Sequence, residues 1–298
     1  MPGLSLKERL SDPRSPGRPR RAAYALPTLF TAGNIFLGFV SVMQSLMGAM
    51  LAHDGTSGAE RHFEIAAITI GLAVVLDGLD GRIARMTNTT SDFGREMDSL
   101  ADVITFGIAP AVLAYAWGVL FIDPGLGTRL HDQIVGLGSF VAFLFLLCGS
   151  ARLARFNVQK NPVPKNPGRP NRKYFVGLPI PAAASMVASV VYAADSEPIT
   201  FWPLTIAWLA LLALLSFLMV STWRYYSFKD ISLMRPRSSL TVILVGILIA
   251  LIWNYSQPVL VSCAACYVAS GIVIRLGGIF RRRHMRPAPP KQPEHQIG

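Results

Sequence analysis

Charged residues and cysteine are scarce in this chain of 298 residues. Charged residues make up 15% of it, whereas ordinary soluble domains contain about 25%, so a soluble globular protein is disfavoured. The three cysteines lie in apolar segments, which excludes a disulfide framework and gives no support to a zinc site. Residues 1–26 have no apolar stretch of the kind found in a cleaved signal peptide, so we expect none there.

Hydrophobic residues, in contrast, make up 52% of the chain and are gathered in long runs. Each run is close to the length of about 20 residues with which a helix crosses a bilayer. The eight runs cover about 27–51, 63–86, 96–121, 133–154, 178–194, 200–221, 238–254 and 257–277. We therefore expect an all-α fold, namely a polytopic transmembrane helical bundle with about eight spans.

Basic residues give the chain a net charge of +11, and their distribution predicts its orientation. With eight spans and a cytoplasmic N-terminus, all 28 basic residues except Arg61 and Arg129 fall on the cytoplasmic side. This bias follows the positive-inside rule, so we expect both termini in the cytoplasm. Because the basic residues flank membrane spans, we expect them to attract anionic lipid headgroups, and we expect no nucleic-acid partner.

Proline-rich polar segments flank the predicted membrane domain. We expect residues 1–22 and 281–298 to be disordered cytoplasmic tails, and residues 23–280 to form one transmembrane domain. The longest internal loop, about 156–177, is basic and interrupted by prolines. It is interpreted either as a linker or as a lid over a headgroup site.

Four aspartates interrupt the second and third apolar runs: Asp77, Asp80, Asp98 and Asp102. Residues three or four apart lie on one face of a helix, so each pair shares a face. Two helices joined by a polar turn can point these faces at each other, at the cytoplasmic ends of their spans. A charged side chain at membrane depth costs about 2.5–3.5 kcal/mol on insertion, so the cluster indicates a functional site.

Divalent cations would relieve the repulsion between such carboxylates. All-oxygen ligation favours Mg²⁺, Mn²⁺ or Ca²⁺ over zinc or copper. Two such ions suit a diphosphate substrate, because they stabilise the entering and leaving oxygens of phosphoryl transfer. A divalent-cation transporter stays open as an alternative, although predicted spans five to eight contain no acid that could carry an ion across the membrane.

The acids belong to a longer pattern, D-x-x-D-G-x-x-A-R, followed after eight residues by G-x-x-x-D-x-x-x-D. This pattern resembles the signature of the CDP-alcohol phosphotransferase family at all of its fixed positions. The resemblance implies an integral membrane enzyme that moves a phosphatidyl group from a CDP-linked lipid to an alcohol and releases CMP. It implies two ions, Mg²⁺ or Mn²⁺, held by Asp77, Asp80, Asp98 and Asp102, with Asp102 also acting as the general base. It further implies nucleotide binding by Asp77, Gly81, Ala84 and Arg85.

Four further stretches resemble the bacterial, membrane-embedded phosphatidylserine synthases of that family: 28–38, 102–113, 151–157 and 175–181. With the signature, the likeness extends over about 24–190. It implies CDP-diacylglycerol and L-serine as substrates, and the bacterial inner membrane as the location. Glycerol 3-phosphate, inositol phosphate or another alcohol stays open as the acceptor. Relatives are commonly dimeric, so a homodimer is open as well.

Three polar residues outside the signature are candidate substrate ligands. Arg152 and Arg155 lie one helical turn apart at the end of predicted span four and could bind the carboxylate of serine. Anchoring of the helix end, or contact with lipid phosphate, is the alternative for both. Asn34, within predicted span one, could contact the nucleotide or bond to a neighbouring helix.

Overall fold

The computed structural model describes residues 21–87, 92–122, 127–159, 174–226 and 239–284. Its α-helices are α1 (Arg21–His53), α2 (Ala59–Thr87), α3 (Asp92–Asp102), α4 (Ala109–Gly118), α5 (Thr128–Gln159), α6 (Ile180–Ala193), α7 (Trp202–Val220), α8 (Ser239–Asn254) and α9 (Ser256–His284). A π-helical segment (Val103–Ile108) joins α3 to α4, and two short strands are β1 (Tyr174–Val176) and β2 (Arg224–Tyr226). Most of the two predicted tails, and residues 160–173 of the predicted loop, lie outside the described residues.

A helix coincides with each predicted span, so the all-α fold and the transmembrane helical bundle are confirmed. Among the described residues, six stretches are long and apolar enough to cross a membrane: Leu29–His53, Ala59–Asp80, Phe93–Gly118, Thr128–Val158, Trp202–Val220 and Ser256–Arg275. α6 is apolar but has 14 residues, and α8 has 16. The number of spans, eight, therefore stays a prediction. α1 begins at Arg21 and α9 ends at His284, so both helices extend slightly into the predicted tails.

Small residues allow α1 to pack closely along α2. The Ser41 hydroxyl of α1 donates a hydrogen bond to the Ala66 carbonyl of α2 at 3.0 Å. A Cβ added to Gly48 would lie 3.1 Å from the ring of Phe63. Such close approach is how helices associate within a bilayer, where the lipid supplies no hydrophobic driving force between them. A Cβ added to Gly33 would lie 3.2 Å from the Leu76 side chain, so the close packing extends to the part of α2 that carries the first two acids.

The π-helical segment makes α3 and α4 one continuous rod. The Ala109 N–H bonds to the Ile104 carbonyl, which is the five-residue spacing of a π-helix. Pro110 accounts for the wider turn, because proline lacks an N–H and its ring clashes with the carbonyl four residues earlier in an α-helix. The segment starts directly after Asp102, so it sets the direction of α3 relative to the membrane-buried α4.

An antiparallel ribbon of β1 and β2 is a feature that the sequence analysis did not predict. Phe175 pairs with Tyr225 at its centre. Gly177 follows β1 with a φ of 79°, and its N–H donates to the Trp223 carbonyl at 2.8 Å. The next N–H, of Leu178, donates to the Leu218 carbonyl at 3.0 Å, which ties the ribbon to the end of α7. Strands of three residues are too short to leave a period-two pattern in the sequence.

The buried core lies among α2, α4, α5, α6, α7 and the π-helical segment, and its largest side chains include Phe63, Phe106, Leu113, Phe145, Ile180, Leu212 and Leu215. The apolar side chains of α8 whose exposure is described are mostly exposed, as with Ile247 and Trp253, and Val273 of α9 is exposed as well. Exposed apolar surface of this kind is expected where helices face lipid.

Gly38 of α1 provides a test of this packing. A Cβ at Gly38 would lie 2.7 Å from Oγ1 and 2.8 Å from Cα of Thr105, in the π-helical segment. We expect Gly38→Ala to push the segment away and to lower stability by about 1–3 kcal/mol, as overpacking does. Thermal unfolding of the purified protein in one detergent measures this effect.

Gly71→Ala, on α2, is the matched control, because no described atom lies within 4 Å of a Cβ at that position. It should leave the stability equal or higher, since alanine favours a helix over glycine. A Gly38→Ala protein as stable as the wild type would contradict the close contact.

Candidate active site

Three aspartates from α2 and α3 converge at one end of the bundle. Asp77, Asp98 and Asp102 each offer a carboxylate oxygen, and these oxygens all lie within 4.8 Å of one another. All three side chains are half-buried. The spacing of four residues places Asp98 and Asp102 on one face of α3, opposite Asp77 on α2.

Carboxylates held at this distance repel one another. Asp98 and Asp80 both act electrostatically on Asp77. The repulsion is weakly screened where protein and lipid replace water. A hard divalent cation fits this set, because every donor is an oxygen and the cation's charge offsets the repulsion.

Asp80 is placed differently from the other three acids. It is not part of the three-acid set, it is 7% exposed, and its Oδ2 accepts a hydrogen bond from the Thr31 hydroxyl of α1 at 3.0 Å. Its Oδ1 is buried and has no hydrogen-bond partner within the described parts of the chain. A buried carboxylate oxygen is costly in that state unless it meets a cation or a donor. Asp80 therefore keeps one oxygen available to a ligand. The hydrogen bond from Thr31 fixes the orientation of the Asp80 carboxylate.

Thr31 is a residue that the sequence analysis missed. It lies in an apolar helix, where a threonine hydroxyl often bonds to the backbone of its own preceding turn. Here the hydroxyl reaches a carboxylate 49 residues further along the chain. The signature does not contain Thr31, and its position one turn before Asn34 is the one signal that could have found it.

Asn34 lies beside this pair and is 3% exposed. Its backbone carbonyl accepts a hydrogen bond from the Thr105 hydroxyl at 3.0 Å, so its main chain holds the π-helical segment. Its side-chain Oδ1 is buried and lacks a hydrogen-bond partner among the residues that the structure describes. This oxygen thus remains available to a ligand.

Arg152 and Arg155 of α5 take two different positions. Arg152 interacts electrostatically with Asp102, so it borders the acidic cluster. Arg155 donates from Nη1 to the Val220 carbonyl, at the end of α7, at 3.1 Å. The last carbonyls of a helix have no partner within it and attract cations. This contact favours an anchoring role for Arg155, and of these two arginines Arg152 is the one that interacts with an acid of the cluster.

Asn157 is a second residue that the sequence analysis missed. Its side-chain N–H donates, at 2.8 Å, to the hydroxyl of Ser99, which is the residue next to Asp98. The end of α5 is thereby joined to the helix that carries two of the acids. Gly81, Ala84 and Arg85 continue α2, but their side chains lie outside the described part of the structure, so their nucleotide contacts stay predictions.

Comparison with known proteins bears on the same region. A sequence model of the CDP-alcohol phosphatidyltransferase family matches residues 24–219, which include all four aspartates. The CDP-diacylglycerol–serine O-phosphatidyltransferase of Helicobacter pylori (strain ATCC 700392 / 26695) is 37% identical over 213 residues, or 72% of this chain and 76% of the relative. The Bacillus subtilis (strain 168) protein of the same name is 31% identical over 208 residues, or 68% of this chain and 91% of the relative. An archaetidylserine synthase of Methanothermobacter thermautotrophicus is 38% identical over 167 residues, or 55% of this chain and 57% of the relative.

Thr31→Val tests the role of the Thr31–Asp80 hydrogen bond, since valine keeps the shape and removes the hydroxyl. We expect divalent-metal affinity to fall by about 10–100-fold, the usual effect of losing a partner that orients a metal ligand. Calorimetric titration of the detergent-solubilised protein with Mn²⁺, without lipid substrate, measures it.

Ser41→Ala is the matched control, because it also removes a buried hydrogen bond between α1 and α2. It should leave Mn²⁺ affinity unchanged, and Thr31→Ser should restore most of the loss. Equal effects of Thr31→Val and Ser41→Ala would show that only helix packing is at stake.

Proposed function

Because the chain belongs to the CDP-alcohol phosphatidyltransferase family, we propose that it transfers the phosphatidyl group of CDP-diacylglycerol to the hydroxyl of L-serine. The products are phosphatidylserine and CMP. The convergence of Asp77, Asp98 and Asp102 within 4.8 Å carries this proposal, because three carboxylates this close together can hold the divalent ions that assist phosphoryl transfer from a diphosphate. The relatives named as CDP-diacylglycerol–serine O-phosphatidyltransferases support serine as the acceptor.

Two ions, Mg²⁺ or Mn²⁺, would be held directly by Asp77, Asp98 and Asp102, and Asp80 would contribute the oxygen that Thr31 leaves available. When bound, the ions neutralise the diphosphate and stabilise the charge that develops during transfer. Gly81, Ala84 and Arg85 bind the nucleotide, together with Asp77 and the buried amide of Asn34.

Asp102 is the general base. It is the last residue of α3 before the π-helical segment, and Arg152 lies close enough to act on it electrostatically. The serine hydroxyl oxygen forms a bond to the lipid phosphorus, the bond from that phosphorus to the CMP oxygen breaks, and the hydroxyl proton passes to Asp102. Arg152 takes the carboxylate of serine, since a guanidinium matches a carboxylate with two parallel hydrogen bonds. Arg155 stays a candidate for the same carboxylate, although Val220 engages it here.

The bundle is an integral membrane protein, and we place it in the bacterial inner membrane with both termini and the acidic site on the cytoplasmic side. The positive-inside bias supports this orientation. CDP-diacylglycerol then enters from the inner leaflet, with its acyl chains in lipid and its nucleotide among the polar residues. Residues 23–280 form the catalytic domain, and a homodimer stays open as its assembly.

Asp102→Asn tests the base, because it keeps the shape and removes the proton acceptor. We expect CMP release from CDP-diacylglycerol and serine to fall by at least about 10²–10⁴-fold, the contribution of a general base. Asp132→Asn is the control, because Asp132 is exposed at the start of α5 and pairs only weakly with His131. Wild-type turnover by a folded Asp102→Asn protein would remove Asp102 from this role.

A panel of acceptors tests the substrate. Purified protein with CDP-diacylglycerol should form product with L-serine and not with glycerol 3-phosphate or inositol phosphate. Chelation with EDTA should abolish turnover, and Mg²⁺ or Mn²⁺ should restore it, because the carboxylates alone repel the diphosphate. Product with another alcohol would correct the acceptor. Divalent-cation flux in proteoliposomes without lipid turnover would favour the transporter.

A further inference from the structure

α3 carries two of the four acids but has little apolar packing to hold it in place. Among its side chains in the range 93–102, Ala101 alone is buried. Phe93 and Leu100, the larger apolar side chains, are 73% and 61% exposed. α3 packs against α1 and continues into the π-helical segment. With so little apolar burial of its own, α3 depends on polar contacts for part of its position.

One such contact joins α3 to the end of α5. The Asn157 side-chain N–H donates to the Ser99 hydroxyl at 2.8 Å. The same hydroxyl donates to the Arg95 carbonyl, one turn earlier in α3, at 3.1 Å. The Ser99 oxygen is therefore an acceptor and a donor at once, which fixes its rotamer and lets the two hydrogen bonds strengthen each other.

The end of α5 is a firm point of attachment for this contact. A Cβ added to Gly149 would lie 2.6 Å from Cδ1 of Ile180, so α5 and α6 are in close contact about two turns before Asn157. Two residues before Asn157, Arg155 donates to the Val220 carbonyl of α7 at 3.1 Å. Because α5 is packed on α6 and bonded to α7, its end can hold the lightly packed α3 in place.

The position of Ser99 on α3 makes this hydrogen bond sensitive to rotation of the helix about its own axis. At about 100° per residue, Ser99 lies about 100° from Asp98 and about 60° from Asp102 around the helix. A carboxylate lies about 5 Å from the helix axis, so a rotation of about 10° moves it by roughly 1 Å. Ligand distances in a metal site vary by only about 0.2 Å. A small rotation of α3 would therefore take its two acids away from Asp77, and the bond at Ser99 opposes that rotation.

We propose that Asn157 is a positioning residue of the metal site, whose amide, through the Ser99 hydroxyl, fixes the rotation of α3 at which its two acids face Asp77. The inference rests on the part of the proposed function that assigns the ions to these acids. Asn157 acts through α3 and is not itself a metal ligand. It gives α5 a part in metal binding, in addition to the candidate substrate contacts of its arginines.

Asn157→Leu and Ser99→Ala each remove this hydrogen bond and keep all four acids. We expect either variant to bind Mn²⁺ about tenfold more weakly, at the lower end of the effect of losing a partner that orients a metal ligand. Calorimetric titration of the detergent-solubilised full-length protein with Mn²⁺, without lipid substrate, measures the affinity. Ser99→Thr keeps the hydroxyl and should bind Mn²⁺ like the wild type, and this rescue separates the hydrogen bond from a general loss of packing.

Two matched controls remove similar hydrogen bonds elsewhere in the bundle. Asn254→Leu removes an amide that donates at 2.8 Å to the Ala250 carbonyl of its own helix. Ser139→Ala removes a hydroxyl that donates at 3.1 Å to the Val135 carbonyl, one turn earlier in its own helix. Neither bond joins two helices, so both controls should leave Mn²⁺ affinity unchanged.

A protein with both Asn157→Leu and Ser99→Ala should bind Mn²⁺ no more weakly than the more affected single variant, because both changes remove one contact. Additive losses, equal losses in a matched control, or wild-type affinity in a folded Ser99→Ala protein would overturn the inference. If Asn157→Leu does not fold, the comparison of Ser99→Ala with Ser99→Thr decides the question. Wild-type protein that binds no Mn²⁺ would overturn the proposed metal site, whereas wild-type protein that binds Mn²⁺ and uses another alcohol would overturn the proposed acceptor alone.

Discussion

Repulsion between neighbouring carboxylates is the constraint on which this structure depends. Asp77, Asp98 and Asp102 hold oxygens within 4.8 Å of one another at one end of an apolar bundle. No helix pair would adopt that arrangement for stability alone, since each charge disfavours the others. The packing around them must therefore be firm, and the close contact of α1 with α2 and with the π-helical segment supplies it. A bound cation then converts the repulsion into ligation.

The sequence predicted much of this arrangement. Apolar runs of bilayer length located the helices, and the four-residue spacing placed Asp98 and Asp102 on one face. The different surroundings of Asp80 were harder to foresee. Asp80 is three residues after Asp77, which turns it by about 60° around the helix axis. That rotation directs it to Thr31 on α1, while Asp77 faces α3.

Contacts between distant parts of the chain could not be predicted in this way. Thr31 and Asp80 are 49 residues apart, and Asn34 and Thr105 are 71 apart. No periodic pattern in the sequence links the members of either pair, because each contact depends on how two separate helices cross. The ribbon of β1 and β2 could not be predicted either, because strands of three residues are defined only by the strand with which they pair. The position of α9 likewise depends on its packing against α6 and β2, which are distant from it in the sequence.

The end of α5 connects these parts. Asn157 bonds to Ser99 of α3, Arg155 bonds to the end of α7, and Arg152 interacts electrostatically with Asp102. The end of α5 is thus joined both to the helix that carries two of the acids and to α7. A movement of α5 would therefore displace both helices.

The short α6 has a consequence for the surrounding lipid. Its 14 residues rise roughly 21 Å, against a hydrocarbon thickness of about 30 Å. Irregular backbone continues from it on both sides, with Leu178 and Ile199 bonded to carbonyls of neighbouring helices. Such backbone is tolerated at that depth only behind protein or beside water. No side chain of α6 is exposed, because neighbouring helices bury it. The protein therefore shields this irregular backbone from lipid, and the surrounding bilayer can keep its full thickness beside a helix that is too short to span it.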